Sequence, residues 1–123
     1  MDLPKAIQSL QKAVSELADA RSVLQREGIG HASTQIWRAS AETEYALFIF
    51  GLTFVEKPKV NLGRNSQRKN FDPIDAISRA YASLREALEI NKQGGDGAKL
   101  YAAVYVARSH LVALQERLEL GRI

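Results

Sequence analysis

From Leu100 to Leu118, apolar side chains recur at steps of three and four: Leu100, Val104, Ala107, Leu111, Leu114 and Leu118. That spacing puts all six on one face of an α-helix and is incompatible with a strand, whose side chains alternate between faces. A chain built on this rhythm must bury one stripe per helix against other helices. The rhythm occurs three more times. Residues 3–27 carry Leu3, Ile7, Leu10, Val14, Leu17, Arg21 and Leu24, flanked by Ala6, Ala13 and Ala20, which permit close approach by a neighbour. Gly28 follows, a residue suited to ending a helix.

A second helix is expected over 32–54, with Ser33 as its candidate N-cap. It has two stripes. One runs Ile36, Ser40, Thr43, Leu47, Phe50 and Phe54; the other runs Trp37, Ala41, Glu44, Phe48 and Leu52. A third helix is expected over 73–92. Asp72 can cap it, Pro73 suits the first turn, and Ile74, Ile77, Tyr81, Leu84 and Leu88 form its stripe. The fourth, over 97–120, has Asp96 as its cap. No useful length alternates with period two, so no strand is expected. The predicted fold is all-α: one domain over residues 1–123, a four-helix bundle of two helical hairpins joined by a long basic loop at 55–71.

That loop holds most of the chain's charge asymmetry. Lys57, Lys59, Arg64, Arg68 and Lys69 stand there against Glu56, while the other residues carry twelve Lys and Arg against thirteen Asp and Glu. The five cations are candidate contacts for an anion or nucleic acid, since clustered Lys and Arg supply sequence-independent phosphate attraction. Phe71 at its edge is the loop's only aromatic residue, so a platform for stacking bases is missing and weak binding is expected. The loop could reach ~56 Å if extended. Helices of 20–25 residues are about 30–37 Å long, so the direction of the third helix stays open.

Of 123 residues, 46% are hydrophobic and 25% charged, which places the chain among ordinary globular proteins. It has no cysteine, which excludes disulfides, thiolate catalysis and Cys-ligated zinc. No secretory signal is visible at the start. The longest apolar run is roughly half of what a membrane-spanning helix needs. A soluble, cytoplasmic protein without a membrane partner is expected.

Chemistry is sparse. A di-iron site in a helical bundle needs Glu-x-x-His on two helices, and neither His31 nor His110 follows a glutamate at that spacing. Glu86, Glu89, Glu116 and Glu119 lie off the seams and read as a solvated face. His110 is followed by bulky apolar residues rather than the lysine and small residues of a histidine phosphotransfer domain, and reads as an edge-of-core side chain. Arg26-Glu-Gly-Ile-Gly-His31 is similar to the R-x(4–6)-H formula of HEPN ribonucleases, which are also small helical bundles. In that family the motif continues into a helix holding both side chains over one cleft, whereas here two glycines interrupt it. The turn between helices is the preferred reading. Gly94-Gly95-Asp96-Gly97 follows no strand and lacks the lysine of a phosphate loop. No catalytic, cofactor-binding or metal-ligating residue is assigned.

Two features remain. Arg21 interrupts a core stripe, where an arginine needs a partner or a route to water. It is expected to be partly buried against Trp37 or Glu44, making these three the candidate buried polar group. The stretch from Tyr45 to Phe54 is apolar nearly all round, so it should be covered on more than one side. Tyr45, Phe48, Ile49, Phe50, Leu52 and Phe54 are therefore the candidate interface of a homodimer. The function expected is that of a non-catalytic, self-associating interaction or scaffold module, whose other protein partner is unknown. The alternative is a small basic subunit that binds nucleic acid through 55–71, with HEPN-type cleavage behind both.

Overall fold

The computed structural model describes residues 3–53 and 72–120. They form four helices and no strand: α1 Leu3–Glu27, α2 Ile29–Thr53, α3 Pro73–Lys92 and α4 Gly97–Leu120. The principal packing pairs are α1–α2, α3–α4, α2–α4 and α1–α3, so the helices stand around a square in the order α1, α2, α4, α3. No described helix is long and apolar enough to cross a membrane.

Local chemistry explains the helix ends. Asp72 accepts a hydrogen bond from the Ile74 N–H at 3.0 Å, and Pro73 occupies the first turn of α3. Asp96 does the same for the Ala98 N–H at 2.9 Å, ahead of α4. The start of α2 departs from the sequence expectation. Gly28, at φ +94°, turns the chain within a single residue, and α2 begins at Ile29. Ser33 therefore lies inside the helix, where its hydroxyl donates to the Gly30 carbonyl at 3.1 Å instead of capping. A left-handed glycine makes a longer turn unnecessary.

The core is built from two kinds of position. Leu10, Leu17, Ile36, Phe50, Ile77, Leu84, Val104, Leu111 and Leu114 are the large, fully buried side chains. Beside them, Ala6, Ala13 and Ala20 of α1 and Ala32, Ala39 and Ala46 of α2 are also fully buried. Each trio repeats every seven residues, giving two touching helices a line of small side chains along which backbones can approach. The interior of α1 is thus centred on its alanines, and Ile7 and Val14 fall at its edge, partly buried. Polar side chains are few inside: Ser9, Ser40, Thr43 and Gln115 are the buried ones among the described residues.

Side-chain contacts fix relative directions. Ser40 meets Gln115, and Glu44 meets Arg108, while Phe48 and Leu52 share a groove with Tyr101 and Tyr105. Rising numbers on α2 thus face falling numbers on α4, so these two helices are antiparallel. On the other side, Leu17, Arg21 and Gln25 line a groove with Ile77 and Tyr81, which sets the end of α1 beside the start of α3. The last turn of α2 and the first turn of α3 consequently lie at opposite ends of the bundle. The basic residues Lys57, Lys59, Arg64, Arg68 and Lys69, together with Phe54, lie outside the described residues.

Candidate functional site

Helix α2 has more apolar surface than one packed face can use. Its first stripe turns inward: Ile36, Ser40, Thr43 and Phe50 are buried, and Leu47 is partly so. Thr43 satisfies its hydroxyl by donating to the Ala39 carbonyl at 2.8 Å. The second stripe turns outward. Trp37 is 48% exposed, Tyr45 39%, Phe48 63% and Leu52 53%, and these are the exposed large apolar side chains among the described residues. Ala41 and Glu44, also exposed, lie between them. All four anchors thus sit on one helix and one face.

The borders of this face differ. Toward α1, Tyr45 lines a groove with Lys5, Gln8, Lys12 and Glu42. Toward α4, Phe48 and Leu52 line one with Tyr101 and Tyr105, whose rings lie 6.2 Å apart between centroids. At mid-height the Arg108 guanidinium donates to the Glu44 carboxylate, and both side chains remain open to water. A pair so exposed contributes about 0–1 kcal/mol to folding. Its effect on the surface is larger, because it neutralises the single charge on an otherwise apolar stripe.

Several expectations change with this geometry. Ile49 and Phe50 are buried inside the subunit, at 8% and 0% exposure, so they belong to the core and not to an interface. Tyr45, Phe48 and Leu52 keep their place on the surface. Arg21 is exposed rather than partly buried. It continues the line of Ile7 and Val14, already at the edge of the core, and lines the α1–α3 groove away from α2. Trp37 and Glu44 are likewise exposed, and the partner of Glu44 is Arg108 of α4. The trio Arg21, Trp37 and Glu44 is therefore not a buried polar group.

The buried polar contact lies elsewhere: the Ser40 hydroxyl donates to Gln115 Oε1 at 2.8 Å, linking α2 to α4. Gln115 and Arg108 each follow a seam residue of α4 directly, Leu114 and Ala107. Polar residues flanking a seam are where partners for Ser40 and Glu44 could have been sought.

The remaining polar candidates do not converge. Arg26 and His31 are both exposed at the α1–α2 junction, with Gly28 between them, and the Arg26 Nε donates to the Ser22 carbonyl. Glu86, Glu89, Glu116 and Glu119 are exposed, and His110 is partly buried. Among the described residues, no three His, Asp or Glu side chains come together as a metal centre would require. Comparison with family models, curated proteins and solved structures finds no match to this chain.

Proposed function

We propose that this chain is a non-catalytic helical module that self-associates through the outward face of α2. Its four helices act as two antiparallel hairpins joined through the basic segment 55–71. One observation carries the reading: the exposed large apolar residues of the described chain all fall on one face of one helix. Scattered surface apolar residues are ordinary, whereas a contiguous set marks an interaction site. Trp, Tyr and Phe anchors with an arginine nearby also match the residue types that dominate binding energy at interfaces. A cytoplasmic setting belongs to the same proposal.

The test is the mass in solution by light scattering across micromolar concentrations, for the native chain and for Phe48→Glu. Complete burial of a side chain of this size contributes about 1.5–3 kcal/mol, and Phe48 has most of that still to gain. Two such side chains per dimer make the expected loss at least ~20-fold in dimer affinity, since 1.4 kcal/mol is tenfold. The subunit itself should stay folded, its stability changed by no more than about 0.5 kcal/mol. A native chain that is monomeric at every concentration would remove the proposal.

A further inference from the structure

We infer that the occupant of the α2 face is a second copy of the chain, with the two α2 helices antiparallel about a two-fold axis between Glu44 and Tyr45. This rests on the self-association reading above and adds its geometry. An isologous interface must be self-complementary, with residue i meeting j and j meeting i. The stripe has that property around its midpoint. Trp37 and Leu52 lie equally far from the point between residues 44 and 45, and so do Ala41 and Phe48. Antiparallel pairing therefore sets Phe48 of each copy over Ala41 of the other, a large side chain over a small one. Trp37 of each meets Leu52 of the other. Parallel pairing would instead set Phe48 on Phe48 and leave Ala41 facing Ala41 across a gap.

Charge agrees with the antiparallel arrangement. Glu44 is the stripe's one acidic residue and lies at the axis, where two carboxylates would repel each other if alone. Each already holds Arg108 of its own α4. Two such pairs brought together on the axis alternate in sign, and each Arg108 can also face the second copy's Glu44. Like charges are not left opposed. The exposed area fits a small contact. Trp, Tyr and Phe each carry roughly 150–250 Å² of buriable surface. At the observed exposures the stripe offers roughly 400 Å² per copy, about half of the ~800 Å² a standard interface takes from each partner. Tyr101 and Tyr105, partly exposed beside Phe48 and Leu52, extend it on the α4 side. An apolar centre of this size with a mixed rim suits a reversible dimer.

The experiment uses the full chain, whose lack of cysteine lets one label be placed at will. Thr34→Cys and Arg38→Cys, both at exposed positions of α2, leave all four apolar anchors and Ala41 intact. Each is spin-labelled, the label-to-label distance across the dimer is measured by double electron–electron resonance, and each variant's mass is checked by light scattering. At 1.5 Å per residue, antiparallel pairing separates the two Thr34 sites by ~30 Å along the axis and the two Arg38 sites by ~20 Å. The Thr34 distance should therefore exceed the Arg38 distance by about 12 Å along the axis. Equal short distances at both positions, near the ~10 Å spacing of packed helices and read as dipolar broadening of the continuous-wave spectrum, mean parallel pairing and overturn the inference while leaving self-association standing. A dimeric mass with distances fitting neither pattern places the contact on another face and overturns it too. A monomeric mass for the native chain and both variants sinks the underlying reading instead, and points to coverage of α2 by the chain's own residues.

Discussion

Replacing Ser40 by alanine removes one oxygen, yet the structure makes it a demanding substitution. Ser40 is 6% exposed and Gln115 9%, and the hydroxyl donates to Gln115 Oε1 across the α2–α4 boundary. Without that donor, an amide oxygen stays buried with its hydrogen bond unmade, which costs about 1–3 kcal/mol. The opposite change, Gln115→Leu, should cost less. A serine on a helix can turn its hydroxyl to a carbonyl one turn back, as Thr43 and Thr53 both do at 2.8 Å. Roughly 1 kcal/mol or less is expected there. The double variant Ser40→Ala/Gln115→Leu removes donor and acceptor together and should return to near native stability, because an apolar pair of similar shape leaves nothing unsatisfied. The coupling between the two sites should therefore exceed ~1 kcal/mol. Urea unfolding followed by far-UV circular dichroism measures it, at one fixed protein concentration because association would shift the midpoint. An unchanged slope with denaturant shows that only stability has moved. Strictly additive single changes, or a Ser40→Ala variant within about 0.5 kcal/mol of native, would refute the reasoning.

Two further outcomes are expected. Gly28→Ala places a side chain on a residue at φ +94° with no neighbouring atom within 4 Å of the new Cβ, so backbone strain alone should lower stability, by roughly 1–2 kcal/mol in the same urea assay. For duplex DNA, the five cations of 55–71 should give a log–log salt slope no steeper than about −4.5, a ~500-fold loss between 50 and 200 mM salt, and no measurable binding at physiological salt. Tight binding at 150 mM salt that disappears when all five are neutralised would put nucleic acid ahead of self-association.

Helix content was legible because the 3.6-residue period leaves a mark that no other regular structure imitates, and caps such as Asp72-Pro73 fix the ends chemically. Orientation about each helix axis was less so. In α2 two apolar stripes compete, and only packing against α1 and α4 decides that Ile36, Thr43 and Phe50 go in while Trp37, Phe48 and Leu52 stay out. In α1 the larger side chains suggested a stripe through Arg21. The interior instead follows Ala6, Ala13 and Ala20, since the line of closest approach between two helices favours the smallest side chains. The matching repeat of Ala32, Ala39 and Ala46 was present in the sequence and is the signal that would have set this rotation. The Ser40–Gln115 contact was partly legible as well: a polar residue on an inward stripe requires a partner. Naming that partner needs the register between α2 and α4, which no local pattern encodes.

Direction adds a constraint on the segment between α2 and α3. Both helices run the same way and occupy diagonal corners, so Thr53 and Asp72 are separated by about the length of a helix, ~30 Å or more for 20 residues. A tight turn cannot join such points. Residues 54–71 could extend to roughly 60 Å, which is ample. Their number is therefore accounted for by topology, as in bundles with one long crossover. Their charge is not, because an uncharged polar segment of equal length would span the same ends. Fold and charge in this segment are separable. Neutralising its five cations should leave the packing of α1 to α4 untouched, while any property that does change with them belongs to what the segment meets outside the bundle.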